Sequence, residues 1–160
     1  MDWDYGFAGW YFVTVCSRGR KSYFGQVRNG VMGLSWAGDV IHKEWKKSES
    51  MRDEIELDEF VIMPNHMHAI VVINKRGLFQ ENVETNGRSS LQMKPRSLSS
   101  LMAGFKSATT KKINEIRKTP GMPIWQTNYY DHIIRPDTES LDKIRYYIKY
   151  NPRMWDKDRN

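Results

Sequence analysis

Cysteine is nearly missing from this chain, because Cys16 is the only one among 160 residues. A single thiol excludes a disulfide framework and any zinc cluster built from several cysteines. No apolar run approaches the roughly 20 residues that a membrane-spanning helix requires. The first residues also lack the basic flank and apolar core of a secretory signal peptide. We therefore expect a soluble, cytoplasmic protein.

Acidic residues are in the minority, with 19 Asp plus Glu against 25 Lys plus Arg, a net charge of +6 and a pI near 9.4. This balance indicates attraction to a polyanion, although ordinary surface solubility explains it equally well. Six Trp and eight Tyr accompany these cations. Because unpaired bases stack on aromatic rings next to cations, the composition favours single-stranded nucleic acid as a partner.

Residue patterning predicts four core strands and one hairpin. β-branched and aromatic residues are typical of strands, and an Asn-Gly pair is typical of a two-residue hairpin turn. The third core strand is apolar on both faces, which indicates a central position in the sheet. The core strands are expected over residues 10–16, 57–63, 67–73 and 124–134 (the last broken around 127–128), and the hairpin over 23–34.

Three helices are predicted from apolar residues at helical spacing, each behind a capping residue. The expected N-caps are Asp39 for the first helix, Ser97 or Ser99 for the second, and Asp137 for the third. Pro152 is expected to stop the third helix after about Asn151.

The order of these elements predicts the fold. Four strands and two packing helices match a ferredoxin-like α+β sandwich, in which an antiparallel sheet carries both helices. The hairpin is an addition to this fold, and the C-terminal helix is left over. Residues 74–96 have little periodicity and predict a mobile loop within a single domain over 1–160.

A pair of histidines at the start of the central strand is the first candidate site. His66 and His68 flank one apolar residue, so in a strand both side chains lie on the same face. Two imidazoles so placed can bind one divalent cation, but two ligands do not complete a site. An ordinary surface pair or a hydrogen-bonded pair would give the same pattern.

The C-terminal helix supplies the remaining candidates. Its apolar arc of Leu141, Ile144 and Ile148 must face the body of the protein. Tyr147 and Asn151 lie beside that arc, one turn apart, whereas the neighbouring Tyr146 and Tyr150 project towards solvent. Among the three tyrosines, Tyr147 alone combines a packed base with a reachable hydroxyl.

Together these side chains predict phosphodiester chemistry, if the helix lies over the sheet face that carries the histidines. Two imidazoles and the Asn151 amide oxygen suit Mg²⁺ or Mn²⁺ on a phosphate better than structural zinc. A phenol has an ordinary pKa near 10, so it attacks a phosphodiester only when a metal withdraws charge and the site orients it. Each element alone is also explained by packing or by a helix stop.

Several sequence blocks resemble one family. MPNHMHAI, YYDHIIR and YIKYNP, with YGFAGWYFVTV and SLSSLMAGFKSATTKKIN, are similar to the REP-associated tyrosine transposases, relatives of the single-tyrosine HUH transposases of insertion sequences. The resemblance implies that the HUH motif falls on His66, Met67 and His68. It further implies Tyr147 as nucleophile and Asn151 as the third metal position.

The resemblance also implies a substrate and a reaction. Such proteins cleave and rejoin single-stranded DNA at palindromic hairpins in bacterial chromosomes, through a 5′-phosphotyrosine and a free 3′-hydroxyl. We expect a nucleoid-associated location and a site completed within one chain, which favours a monomer over a dimer. The chain lacks the basic N-terminal segment of many relatives and the longer tail of some, so we expect weaker or less specific hairpin binding.

Further residues are expected to contact DNA or support the site. Charge and position select the DNA-contact candidates Lys75, Arg76, Lys106, Lys111, Lys112, Trp125, Tyr129 and Arg135. His132 is interpreted as a core histidine bonded to Asp131, with a supporting role for both behind the metal ligands as the alternative. Two other functions stay open: a non-catalytic hairpin-binding module, and a hydrolase that uses metal-bound water.

Overall fold

A computed structural model of the chain describes residues 8–74 and 97–157. Two DNA-contact candidates, Lys75 and Arg76, lie outside the described residues. The same holds for the expected mobile loop apart from Asn74. No helix in the described segments has both the length and the apolarity needed to cross a membrane.

The described segments contain strands and helices in the predicted order. They are β1 (Gly9–Cys16), β2 (Gly25–Arg28), β3 (Val31–Leu34), α1 (Trp36–Ser50), β4 (Ile55–Met63), β5 (His66–Ile73), α2 (Leu98–Arg117), β6 (Tyr130–Ile134) and α3 (Leu141–Met154). Four strands form an antiparallel sheet in the order β4-β5-β1-β6, while β2 and β3 pair separately. Without the hairpin, this is the ferredoxin-like sandwich that the sequence predicts, with α3 added and β5 central.

Strand alternation divides the sheet into two different faces. On one face, Tyr11, Val13 and Val15 of β1 join the main hydrophobic core, which α1 and α2 complete. On the other face, a smaller apolar cluster brings Ile70 of β5 and Ile148 of α3 together. The apolar arc predicted for the last helix therefore does face the sheet, on the side opposite to α1 and α2.

The N-caps of two helices differ from the predictions. Ser35 caps α1 by accepting a hydrogen bond from the Gly38 amide at 3.1 Å, and Asp39 lies inside the first turn. Ser140 caps α3 through the Lys143 amide at 3.3 Å, three residues after the expected Asp137. Asp39 favours α1 as an acidic group near the positive end of the helix dipole, not as its cap.

The predicted end of α3 was also wrong, because the helix continues through Pro152 to Met154. A proline so close to a helix C-terminus removes one backbone hydrogen bond and leaves the final turn in place. The tip of the β2–β3 hairpin lies against this turn: a Cβ added at Gly30 would come within 3.2 Å of the Arg153 Cγ. Both Asn29 and Gly30 have positive φ, as the predicted hairpin turn requires.

The second helix follows the prediction, whereas the fourth core strand is shorter than expected. Ser97 caps α2 in a reciprocal capping box with Ser100. The expected strand over 124–134 is reduced to β6, and Trp125 makes only an isolated bridge with Ser17. Between them, the Gln126 amide donates to the Cys16 carbonyl of β1 at 2.9 Å, and the Lys106 side chain of α2 donates to the carbonyls of residues 126–128, so this segment does not continue β6.

Candidate functional site

The two histidines of β5 lie on the sheet face that α3 covers. Their ring centroids are 4.7 Å apart, with the rings nearly perpendicular. Their neighbours Met67 and Ala69 point to the opposite face and are buried in the main core. The strand geometry predicted from the sequence is therefore present, and it is fixed by the burial of the alternate residues.

His68 is held in one orientation by two residues of β1. Its Nδ1 lies 2.7 Å from the Thr14 Oγ1, and its ring stacks on Phe12 with centroids 5.3 Å apart. This contact occupies Nδ1 and leaves Nε2 as the nitrogen that can bind a metal. Burial, followed by the charge of His66, lowers the pKa of His68 to about 3. The imidazole is therefore neutral at pH 7, which is the form that binds metals.

His66 is oriented by the residue that precedes it. The Asn65 Oδ1 lies 2.7 Å from the His66 Nδ1, while the Asn65 Nδ2 donates to the Arg20 carbonyl at 3.2 Å. Because the carbonyl fixes which end of the amide faces His66, Nδ1 must carry the hydrogen and Nε2 the lone pair. Asn65 was not among the predicted site residues, and its position directly before the histidine was the only signal.

One stripe of α3 faces the histidine pair. The Tyr147 ring lies 5.5 Å from His68, and the Trp155 ring is stacked on His66 at 6.0 Å, centroid to centroid. Asn151 is four residues from each along a continuous helical backbone, so it lies between these two contacts and faces the same pair. The structure thus places Tyr147 against His68, with Asn151 one turn further along the same stripe of α3. Their roles as nucleophile and metal ligands stay predictions.

The side chain of Asn151 is completely buried. Both its amide nitrogen and its amide oxygen are without a hydrogen-bond partner among the described residues. Leaving such a group unpaired costs about 1–3 kcal/mol, so burying it beside two imidazoles needs an explanation. A bound cation coordinated by the amide oxygen would account for the oxygen, although not for the nitrogen.

The tyrosines of α3 differ in exposure because they lie at different positions around the helix. Tyr146 is 63 % exposed and packs on Tyr150, with ring centroids 4.3 Å apart. Tyr147 is 38 % exposed and is also 6.4 Å from the Phe12 ring. Its ring is therefore partly packed while part of the side chain remains accessible.

A metal site made only of the usual ligands is absent from the two described segments. Within residues 8–74 and 97–157, no three His, Cys, Asp or Glu side chains lie close enough to hold an ion. The candidate donors are two imidazole nitrogens and one amide oxygen, which leaves positions open for a substrate.

Three of the four lysines predicted to contact DNA lie on α2, behind the opposite face of the sheet. The Lys106 ammonium donates to the carbonyls of residues 126, 127 and 128 at 2.8 to 3.1 Å, and burial lowers its pKa. Lys112 pairs with the buried Glu44. Lys111 is exposed. Lys106 and Lys112 thus have structural partners, and DNA contacts by all three stay a prediction.

The two aromatic residues among the DNA-contact candidates also lie on the α2 side, where they were expected to stack on unpaired bases. Trp125 is only 5 % exposed, and its indole nitrogen donates to the Thr109 Oγ1 at 2.9 Å. Its ring is therefore part of the core and is not available to a base. The Tyr129 hydroxyl is 3.3 Å from the Ser99 Oγ, and Lys106 lies over its ring.

The expectation that His132 is a core histidine was wrong. Its side chain is exposed, and its Nε2 lies 2.7 Å from the Glu139 Oε1. Glu139 also accepts a hydrogen bond from the Arg135 amide at 2.9 Å. These bonds lower the pKa of Glu139. A supporting role for His132 and Asp131, and a DNA contact by Arg135, stay predictions.

Comparisons with solved structures identify the fold. The chain is similar to a REP-associated tyrosine transposase bound to a REP hairpin, with a TM-score of 0.62 and 21% identity, covering 97% of this chain and 73% of that one. It is also similar to a Deinococcus radiodurans protein provisionally assigned as a transposase, with a TM-score of 0.53 and 11% identity, covering 93% of this chain and 95% of that one. The fold is that of a tyrosine transposase, as the sequence motifs predict.

Sequence comparison finds a relative of higher identity than these two structures. No protein-family model matches the chain. It is 34% identical over 162 residues to an uncharacterized protein of Haemophilus influenzae, covering 98% of this chain and 87% of that protein. The chain belongs to the same family as this protein.

Proposed function

We propose that this protein is a metal-dependent transposase that cleaves and rejoins single-stranded DNA near palindromic hairpins. The observation that carries the proposal is the α3 stripe, in which Tyr147 contacts His68 and the buried amide of Asn151, one turn away, has no hydrogen-bond partner among the described residues. The likeness of the fold to a transposase bound to a hairpin and the net charge of +6 support a DNA substrate. Such a substrate would locate the protein at the bacterial nucleoid.

His66, His68 and Asn151 would hold Mg²⁺ or Mn²⁺. The fit is supported by the neutral state of His68 and by the orientation of both rings, which leaves the Nε2 atoms as ligands. Imidazole is a softer ligand than the oxygens that Mg²⁺ prefers, so Mn²⁺ fits this set at least as well. When bound, the cation would draw charge from the non-bridging oxygens of a phosphate.

Tyr147 would act as the nucleophile. Its hydroxyl oxygen attacks the phosphorus and the bond from phosphorus to the 3′-oxygen breaks, which leaves a 5′-phosphotyrosine and a 3′-hydroxyl. The phenol proton passes to solvent, and the departing 3′-oxygen takes up a proton. The phosphodiester energy is kept in the phosphotyrosine bond, so a second 3′-hydroxyl can reverse the step and rejoin the strand. Packing against Phe12 and His68 restricts the ring before attack.

A single chain supplies every group in this scheme. The tyrosine of α3 lies against the histidine of the same chain, and Ile148 anchors the helix in the apolar cluster of its own sheet. This arrangement supports a monomer that needs no exchange of α3 between subunits.

The test is a denaturing-gel assay with a hairpin oligonucleotide labelled at either end, in Mg²⁺, Mn²⁺ or EDTA. We expect a protein-linked 5′ end that requires metal and is lost in Tyr147→Phe. Tyr146→Phe is the matched control, because it removes the neighbouring hydroxyl from the solvent side of the same helix, and it should retain the adduct.

Two outcomes would replace the proposal. Hairpin binding without an adduct in any metal would indicate a binding module. Metal-dependent cleavage that survives Tyr147→Phe would indicate hydrolysis by metal-bound water.

A further inference from the structure

The sheet face that carries the histidines is only partly covered. α3 packs mainly on β4 and β5, and its apolar cluster also includes Phe12 of β1 and Ile134 at the end of β6. Among the described residues, Tyr130 at the start of β6 is left outside this cluster. At the level of His68, the cross-strand pairs are His68 with Thr14, and Thr14 with Tyr130. Tyr130 is therefore in the same row as His68, on the edge strand of the sheet that the described residues form.

Tyr130 is an exposed aromatic side chain without a described partner. It is 62 % exposed. Among the described residues it has no hydrogen bond, ring contact or cation contact. A single exposed aromatic side chain is ordinary on a protein surface. Tyr130 is a candidate for ligand contact because it lies in the same row of the sheet as His68.

Its neighbour Tyr129 is directed differently. Tyr129 approaches Ser99 and Lys106 of α2, on the face opposite to the histidines. Because successive residues of a strand alternate between faces, Tyr130 is the one that shares the face of Thr14 and His68. The register in which β6 pairs with β1 therefore places Tyr130, and not Tyr129, on the face that carries His68.

The spacing suits a nucleotide next to the reacting phosphate. Neighbouring strands are about 4.8 Å apart, so Tyr130 on β6 is about 10 Å from His68 on β5. Thr14 lies between them and binds His68. A base that flanks a phosphate held at His68 is within reach of the Tyr130 ring.

We propose that Tyr130 is a stacking platform for one unpaired base that flanks the scissile phosphate. The inference rests on the proposed function, since it takes single-stranded DNA as the ligand of the same site. Stacking of a base on an aromatic ring depends on the ring and not on the hydroxyl, and it is tolerant of base identity. Tyr130 would therefore contribute affinity and positioning, and it would read little sequence.

The first measurement is the affinity for a fluorescent hairpin oligonucleotide with single-stranded flanks, by anisotropy in Mn²⁺. All proteins carry Tyr147→Phe so that no cleavage occurs. Tyr130→Ala should raise Kd about tenfold, the usual effect of losing one base stack. Tyr130→Phe should stay within about twofold of the parent, because it keeps the ring. Tyr146→Ala, an equally exposed tyrosine on the solvent side of α3, should also stay within about twofold.

A second measurement locates the base. Flanking bases are removed one at a time by abasic substitution, and each oligonucleotide is titrated against the parent and Tyr130→Ala. One position should cost the parent about tenfold and Tyr130→Ala almost nothing, since the two changes remove the same contact. Equal affinity of parent and Tyr130→Ala, or additive losses at every position, would overturn the proposal.

These experiments distinguish a failure of the stacking proposal from a failure of the proposed function. A wild-type protein that forms the adduct, with affinity that is independent of Tyr130, contradicts the stacking platform alone. A wild-type protein that neither binds the hairpin nor forms an adduct contradicts both.

Discussion

The two faces of the sheet differ in composition and in exposure, although the same strands form both. The face under α1 and α2 is closed and apolar, and side chains such as Trp45, Leu101 and Phe105 leave almost no surface exposed. The face under α3 mixes a small apolar cluster with two histidines, a half-exposed tyrosine and a buried amide that has no described hydrogen-bond partner. The difference indicates that stability comes mainly from the first face, and the proposed chemistry uses the second.

Strand β5 contributes alternate residues to the two faces. Met67 and Ala69 point into the main core, and His66 and His68 point towards α3. Because the apolar residues fix the register, the histidines are held on the α3 face at little extra cost. Changes on the two faces should therefore affect stability and metal binding separately.

The largest effect on stability is expected from Trp45→Ala. The side chain is fully buried and packs edge-on against Phe105 with centroids 5.0 Å apart. Removing it should lower the free energy of unfolding by about 3–5 kcal/mol, through lost burial and the resulting cavity. Urea denaturation measures this loss. A loss below about 1 kcal/mol would mean that the α1–α2 face does not carry most of the stability.

Asn151→Ala should weaken metal binding and leave the stability of the fold nearly unchanged. In EDTA its free energy of unfolding should remain within about 1 kcal/mol of wild type, because the amide atoms that are lost have no described hydrogen-bond partner. Affinity for Mn²⁺, measured by calorimetry, should fall by about 10- to 100-fold. Wild-type Mn²⁺ affinity in Asn151→Ala would exclude the amide as a ligand. A solvent-side change on the same helix, Lys149→Ala, is the control and should leave both quantities unchanged.

Stability should also depend on pH through His68. Its pKa is about 3 in the folded chain against 6.5 in the unfolded one, so the unfolded state binds the extra proton between these values. The contribution is fully present above pH 6.5 and is lost as the pH falls towards 3. Linkage gives a loss of about 2 kcal/mol between pH 7.5 and pH 5.

Unfolding in EDTA at these two pH values, for wild type and His68→Gln, isolates this contribution from that of other groups. The variant should lose about 2 kcal/mol less than wild type over the same range. Identical pH dependence in the two proteins would show that His68 is not buried in its neutral form.

The smallest effect is expected at the ion pair that joins α3 to β4. Arg145 donates to both carboxylate oxygens of Asp58, and this pairing raises the pKa of the guanidinium. The pair is partly exposed, so Arg145→Gln should cost no more than about 1 kcal/mol. Urea denaturation gives the cost, and Mn²⁺ affinity should remain near wild type. A large loss of metal affinity would mean that α3 is aligned by this pair and not by its apolar arc.

The sequence predicts the parts of the site that follow from simple periodicity. Because side chains of a strand alternate between faces, the sequence places His66 and His68 on one face. Helical spacing likewise places Tyr147 beside the apolar arc of α3 and Tyr146 on the solvent side. Both predictions rely on neighbours that are clearly apolar, so the buried direction was unambiguous. The order of strands and helices was predictable for the same reason.

Errors arose where several residues of one type compete within a short distance. Both Ser35 and Asp39, like Ser140 and Asp137, are good N-caps, and only the folded backbone selects one. Burial of Trp125 depends on contacts with α2 that local patterning does not contain. The orientation of Asn65 likewise depends on a carbonyl 45 residues away along the chain.

Metal-dependent covalent cleavage of DNA on the α3 face can be tested by identifying the residue to which DNA becomes attached. The protein is incubated with a hairpin oligonucleotide in Mn²⁺, digested with nuclease and protease, and examined by tandem mass spectrometry. We predict a nucleotide phosphate on Tyr147 alone, absent when EDTA replaces the metal. Attachment to Tyr146 or to another residue, or the same adduct in EDTA, would contradict the account.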